Sequence, residues 1–483
     1  MEYASRELQP DEKAMDYAML GGVHAQRGRQ LFRTGIGLLI ALLVYLAYSA
    51  TVADPIHLFL GLGIFTLAIV PSLLWARAGG SRFPVFEVIM LLCANAYALP
   101  LLNAQEQLAD FSPEAITTAG LTVLLHQVAA ILTYATIKGV PGRSDFWRES
   151  LLSPNFERLM VYGLVLSCVY VVISTFTTWI PRDLESVLRA VFFGVSILCT
   201  FVSAQRWGHG ELTAREKSIF LAAIIPQLFI MSVGLTLIAA LSQIGIALLG
   251  YVCGSKRIPW VALIIIFPIA AVLHTGKTRM RTKYWEEGNP PPTLTQVPAY
   301  YAEWIDFGLQ PTSGGKTVGH KIIERTSLMH MLCLIVSWSP DRQDYLYGKT
   351  YSYVLPQLIP RFFWPDKPRS HIATYELSIY YGLQAEEDTN STTIAFGLLA
   401  EAYANFGLTG GVLLGLFWGF TLKKLQIWST FSPMFSFAGL FMVLLTAWAF
   451  NVEMTMSVWV SSLQQAVVVA LGLPLLVKSF FGS

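Results

Sequence analysis

Apolar stretches long enough to cross a bilayer recur along almost the whole chain, and no other feature constrains its fold as much. A helical span needs about 20 mostly apolar residues. Such stretches fall near 35–52, 56–75, 84–103, 115–137, 159–180, 186–204, 218–237, 238–254, 259–275, 396–422, 432–452 and 457–480. Inside lipid every backbone N–H and C=O must be satisfied within the protein, so the stretches read as helices. With 54% hydrophobic and only 13% charged residues, against roughly 25% charged in soluble domains, the chain carries more apolar surface than a water-soluble fold can bury. The expected fold is all-α and polytopic, with about twelve transmembrane helices.

The apolar run 218–254 is too long for one span. Pro226, Gly234 and Ser242-Gln243 are its possible break points. Lys and Arg accumulate on the cytoplasmic side of membrane proteins, and this decides for two spans joined by a tight turn. With two spans, Arg77 and Arg82, Lys138 and Arg143, Arg206 and Arg215, Lys256 and Arg257, and Lys423 and Lys424 all share one side. The first two loops of the other side carry Asp54, Glu106, Asp110 and Glu114, with no Lys or Arg. Both termini are then cytoplasmic. The chain divides into a cytoplasmic segment 1–34, helices in 35–275, a large extracytoplasmic loop 276–395, and helices in 396–483.

A net charge of +2, with no basic tract or stacking motif, gives no reason to expect a nucleic-acid partner. The cysteines Cys93, Cys168, Cys199, Cys253 and Cys333 lack zinc-ligand or disulfide-framework spacing and read as small core residues. The polar N-terminal segment is unlike a cleavable signal peptide, so the first helix is expected to direct insertion.

A loop as long as 276–395 is typically functional. It opens with His274, Lys277, Arg279, Arg281 and Lys283 and passes through Asn289-Pro290-Pro291-Pro292. The apolar portion Ile322–Trp338, interrupted by Glu324, Arg325 and His330, is expected to lie as a helix along the membrane surface. Between Pro356 and Pro368 four prolines stiffen the backbone and disfavour regular helix. They frame Arg361, Trp364, Asp366 and Lys367, with Arg369 next. The plain alternative for this portion is a belt anchoring the loop to lipid through its aromatic rings. Farther on, Glu401 and Asn405 share a helical face. A carboxylate at the mouth of a membrane helix suggests a functional site, although pairing with a loop arginine for structure explains it equally well.

The segments Gly348-Lys-Thr-Tyr351, Ile359-Pro-Arg-Phe-Phe-Trp-Pro-Asp-Lys-Pro368, Ser391-Thr392-Thr393 and Glu401-Ala-Tyr-Ala-Asn-Phe-Gly407 together resemble the Wzy-like oligosaccharide repeat-unit polymerases of O-antigen and exopolysaccharide synthesis. The resemblance covers roughly residues 345–425. It departs from the family in a middle hairpin, where Leu241-Ser242-Gln243 stands in place of a Gly-Ser-Arg-type turn. The resemblance implies a membrane glycosyltransferase (GT-C-like) architecture in the bacterial cytoplasmic (inner) membrane. The implied substrate is an undecaprenyl-diphosphate-linked oligosaccharide, drawn from membrane lipid, with a flippase and a chain-length regulator as implied partners. A hydroxyl of one repeat unit attacks the anomeric carbon of another, and the lipid diphosphate leaves.

That chemistry needs cations where negative charge develops, and arginine suits phosphate because its planar fork is bidentate and always charged. Arg279, Arg281, Arg325 and Arg361 are the candidates, followed by Lys367 and Arg369. Binding of lipid headgroups is the alternative for some of them. With no Asp-rich motif or P-loop, a metal-independent reaction without a cofactor is expected. The base is expected to be Glu401, then His330, whose plain alternative is a packing histidine. Tyr351, Trp364, Asn390 and Tyr403 are candidates for sugar contacts. An O-antigen-type ligase, which uses the same donor with another acceptor, is the nearest rival reading. A non-enzymatic polysaccharide or lipid transporter is the next, but it predicts mid-depth charges and repeated halves.

Overall fold

The computed structural model describes residues 10–80, 83–144, 156–180, 182–310, 326–359, 363–390 and 393–481, and among them the chain is helical with no strand. The helices are α1 (Pro10–Ser49), α2 (Pro55–Arg77), α3 (Val85–Leu102), α4 (Pro113–Thr136), α5 (Phe156–Phe176), α6 (Arg182–His209), α7 (Ala214–Ser232) and α8 (Ile238–Ser255). They continue as α9 (Trp260–Glu286), α10 (Val297–Leu309), α11 (Met329–Trp338), α12 (Ile372–Tyr380), α13 (Leu398–Ser429), α14 (Phe437–Trp448) and α15 (Met456–Phe481). Eight helices among the described residues are long and apolar enough to cross a bilayer, and the protein is a membrane-embedded helical bundle. Four expected crossings correspond to α5, α7, α14 and α15, which fall outside that set. Helix α14 has 12 residues and rises only about 18 Å. Its Ala438, Leu440, Val443 and Leu444 are fully buried, so it forms the interior of the bundle.

The apolar run 218–254 does break, between Ser232 and Ile238, where Leu235 takes a left-handed φ of 56°. Pro226 stays inside α7. The Ser242-Gln243 pair stays inside α8 because Gln243 turns inward, donating from Nε2 to Ser196 Oγ at 2.9 Å. In a membrane interior such side-chain bonds join helices.

Connections between helices gather at two ends of the bundle. At one end Thr51 N donates to Leu102 O (3.1 Å), Leu328 N to Ala96 O (2.9 Å) and Gly397 N to Glu453 O (3.0 Å). There too Arg281 Nη2 donates to Leu235 O (2.9 Å). At the other end Gly142 N donates to Ile427 O (2.7 Å) and Lys256 Nζ to Gly80 O (3.1 Å). The large loop is therefore at the same end as the α7–α8 break.

Glycines let the helix backbones approach closely. A Cβ on Gly415 would meet His126 O of α4 at 2.3 Å, and one on Gly419 would meet Ala130 O at 2.5 Å. Helices α6 and α8 meet the same way, a Cβ on Gly254 reaching 2.2 Å from Gln205 O. Because a backbone oxygen cannot move aside as a side chain can, Gly415→Leu is expected to separate α4 from α13. The cost is about 3 kcal/mol or more, read as a lower unfolding temperature in detergent beside the tolerated exposed change Leu413→Ala.

Helix α13 is interrupted at Phe406 and at Gly407, which takes φ 60° and ψ −148°. A Cβ there would lie 2.7 Å from Tyr345 Oη. The short segment before the break carries Glu401, Tyr403 and Asn405, and the longer one after it makes the crossing. The loop's first described part is folded. Helix α9 runs past its expected end at 275, and α10 returns along it, with Trp304 Nε1 donating to Leu273 O at 2.7 Å. Around this hairpin Leu273, Met280, Tyr300, Tyr301 and Trp304 form a small core with Val233, Leu235 and Leu237.

The expected surface helix 322–338 is different from the prediction. Its described part, α11, has Met329, Leu332, Cys333 and Ile335 fully buried against α4 and α13. Apolar residues on all sides suit the protein interior better than an interface.

Candidate functional site

Where α9 ends, a cavity of about 1030 Å³ opens at the loop end of the bundle. Its walls come from helices and connections far apart in sequence, and each wall has a distinct chemistry. The α9 wall presents His274, Lys277, Thr278, Arg281 and Glu286, of which His274, Lys277 and Arg281, at spacings of three and four, share one face of a helix. The same cavity is lined by His330 of α11, with His371 and Thr374 at the start of α12. Thr393, Asn451 and Glu453 contribute further polar groups, and Ile238 and Phe450 are apolar.

Arg281 is held in place before any ligand arrives. Its Nη2 donates to Leu235 O at 2.9 Å, and its guanidinium carbon lies 4.2 Å from the Trp285 ring centroid. The α7–α8 break is what exposes that carbonyl, since inside a continuous helix it would be paired. Lys277 is buried at 8% exposure, so most of its stem is sheathed in protein while it contributes to the cavity wall.

The histidines face a different environment. Burial pushes the pKa of both His330 and His371 below the ordinary histidine value, because removal from water disfavours the charged imidazolium. Both are therefore neutral near pH 7. His330 Nδ1 is buried with no hydrogen-bond partner. Among the described residues no group of three or more His, Cys, Asp or Glu is placed to hold a metal ion.

The predicted site residues are distributed unevenly around this cavity. Arg281 and His330 line it. Arg279 does not, because a two-residue step turns the side chain by about 200° around the helix, and its Nη1 donates instead to Gln310 Oε1. Arg325 and Arg361 lie outside the described residues, as do Ser391, Thr392 and the side chain of Asn390. Lys367 is buried, and its Nζ donates to Ile359 O (2.6 Å) and Gln357 O (3.3 Å). It thereby closes the proline-rich segment on itself. Trp364 is exposed beside the still more exposed Phe363, and Arg369 is exposed.

The remaining candidates form a junction behind the cavity. Glu401 is fully buried, and its Oε2 accepts from Met456 N, in the first turn of α15, at 2.6 Å. Asn405, also fully buried, accepts from Gly348 N (2.9 Å) and donates to Thr350 Oγ1 (2.8 Å) and Glu401 O (2.8 Å). Tyr351 stacks on Phe406 with centroids 6.3 Å apart, and Tyr403 meets Tyr345 edge-on. The Gly348–Tyr351 and Glu401–Gly407 segments are thus two halves of one hydrogen-bonded unit, and Glu401, Tyr351 and Tyr403 are absent from the cavity wall.

Sequence reasoning missed His371 and Asn451, and gave His274 and Lys277 no role. The last two were legible in principle. His274, Lys277 and Arg281 repeat at helical spacing, but the helix was expected to stop at 275. No protein family, curated protein or solved structure matches the chain.

Proposed function

We propose that this protein is a membrane glycosyltransferase that joins lipid-diphosphate-linked oligosaccharide units within the cavity at the loop end. The reading places it in a bacterial cytoplasmic membrane with that end facing outward. The observation that supports it most is a cavity large enough for several sugar rings whose lining carries Lys277, the held guanidinium of Arg281 and the neutral imidazoles of His330 and His371 together. An undecaprenyl-type diphosphate is the proposed leaving group. Lys277 and Arg281 bind its oxygens and stabilise the charge that develops as the anomeric carbon–oxygen bond breaks. The acceptor hydroxyl forms the new bond to that carbon and loses its proton to His330, for which a neutral imidazole is required. Thr374, Thr393 and Asn451 offer hydrogen-bond partners to sugar hydroxyls. The motif resemblance supports polymerase over ligase, and it alone keeps Arg325 and Arg361 in the proposed site. A chain-length regulator and a flippase remain proposed partners.

Proteoliposomes supplied with a lipid-diphosphate-linked repeat unit test this directly. A ladder of lengthening glycans is expected. Transfer of a single unit only when a lipid A core acceptor is added would indicate a ligase, and movement of substrate without transfer a transporter.

The same assay carries a pH prediction. A base whose pKa is lowered by burial stays neutral further into the acid range, so activity is lost only as pH falls below the ordinary histidine value of about 6.5. His330→Gln is expected to lower the rate by about a hundredfold and to remove that acid limb. A limb that survives the substitution assigns it to another group, with His371 the next to test.

A further inference from the structure

The proline-rich segment turns its polar side chains inward and its apolar ones outward. Gln357 and Lys367 are buried at 1% and 8% exposure, whereas Leu355 and Phe363 are 72% and 75% exposed. Leu358, Ile359 and Trp364 are exposed beside them. A surface in water has the opposite polarity, and a surface in hydrocarbon has this one.

The segment also descends. Ser457 and Gln464 lie seven residues apart in α15, about 10 Å along its axis, and α15 begins at the loop end. Ser457 Oγ donates to Ser370 O at 2.8 Å, and Gln464 Nε2 donates to Leu358 O at 2.8 Å. The turn Val354–Gln357 packs on the same helix. The chain thus reaches down α15 as far as Leu358 and climbs back to Ser370. Val468, one turn beyond Gln464 on the same side of α15, is exposed, so the segment rests above open apolar surface of the bundle.

Its backbone suits that depth. Irregular chain is tolerated inside a bilayer only where its N–H and C=O groups are met within the protein. Gln464 meets Leu358 O, and Lys367 Nζ meets Ile359 O (2.6 Å) and Gln357 O (3.3 Å). Three consecutive carbonyls are therefore satisfied by side chains, which exposure to water would not require. Gln357 Nε2 donates in turn to Tyr353 O (3.2 Å) and Pro368 O (3.3 Å), tying the two limbs together. Pro356, Pro365 and Pro368 bring no N–H to satisfy. The exposed charges Asp366 and Arg369 stand on the climbing limb, toward the headgroups.

We infer that the two limbs, 354–359 and 363–370, form a lipid-immersed anchor whose Leu355, Leu358, Phe363 and Trp364 sit among the acyl chains of the leaflet at the loop end. The bilayer is the occupant of this surface because inverted polarity, descent along α15 and capped carbonyls coincide there. This is more than a belt of aromatic rings, since the backbone goes down with them. The climbing limb continues directly into His371 and Thr374 of the cavity wall, so the anchor fixes that wall relative to the membrane whatever the cavity binds.

Spin labels test the anchor. A nitroxide is attached to a cysteine placed at position 355, 358 or 363, in protein whose half-buried Cys168 is replaced by serine; the other native cysteines are buried. The exposed positions of Phe59 in α2 and Glu386 in the loop serve as references for lipid and water. In phosphatidylcholine liposomes the three labels are expected to collide freely with oxygen, which concentrates in hydrocarbon. They are expected to be shielded several-fold from a water-soluble nickel chelate relative to 386, as 59 is. Nickel access at 358 and 363 equal to that at 386 overturns the inference. Shielding from both oxygen and nickel also overturns it, by assigning the surface to a protein partner or a second copy of the chain. Lys367→Met, which strands Gln357 O and Ile359 O, is expected to raise nickel access at 358 several-fold, while Arg369→Met leaves it unchanged. No difference between these two substitutions overturns the inference as well, since the capped carbonyls would then hold nothing at that depth.

Discussion

Arg281→Ala is expected to slow glycan extension by two to three orders of magnitude while leaving the protein folded. Removing one preorganised donor to developing negative charge typically costs about 10²–10³ in rate, and Arg281 is already aligned by Leu235 O and Trp285. Arg281→Lys is expected to recover only part of the rate, because a lysine supplies charge without the bidentate fork. Arg279→Ala is the internal control. It is equally basic and two residues away, but it bonds Gln310 off the cavity, so its rate is expected to stay within about threefold of the parent. The measurement is initial ladder formation at matched amounts of monodisperse protein. Equal losses at 279 and 281 would show that general surface charge, and not the cavity wall, drives the reaction.

Glu401→Ala and Asn405→Ala are expected to lower stability by about 2–4 kcal/mol each, seen first as loss of folded protein and only through that as loss of activity. Alanine at 401 strands the buried Met456 N–H, and alanine at 405 strands Gly348 N. Glu401→Gln keeps an oxygen that accepts from Met456 N, so it is expected to preserve both folding and most of the rate. A catalytic base would behave differently, since glutamine cannot take up the proton. Folded but inactive Glu401→Gln protein would return Glu401 to the chemistry and remove the structural reading.

These two predictions divide along what was legible in the chain. Apolar stretches near 56–75 and 115–137 announce α2 and α4, because a bilayer demands a fixed number of apolar residues whatever surrounds them. The break in 218–254 was legible from charge, because Lys256 and Arg257 share a side with the other basic loops only if the chain turns back. Its position at Leu235 was not legible, since Pro226 and Ser242-Gln243 carry stronger local signals and are overruled by their partners in the bundle. The Glu401–Asn405 pairing on one helical face was legible as well. Its use was not, because a buried carboxylate has the same spacing whether it caps α15 or meets a substrate.

By itself, the sequence determined that this is a membrane-embedded helical bundle with a long loop between its later helices, and that basic residues gather where that loop begins. Those properties follow from composition and periodicity, which each segment carries without its neighbours. Tertiary structure alone decided that Arg281 and not Arg279 lines a cavity, that His371 and Asn451 line it too, and that Lys367 and one carboxylate oxygen of Glu401 bond the protein's own backbone. A polar side chain's role depends on which donors, acceptors and solvent come within about 3 Å of it, and those arrive from segments up to hundreds of residues away.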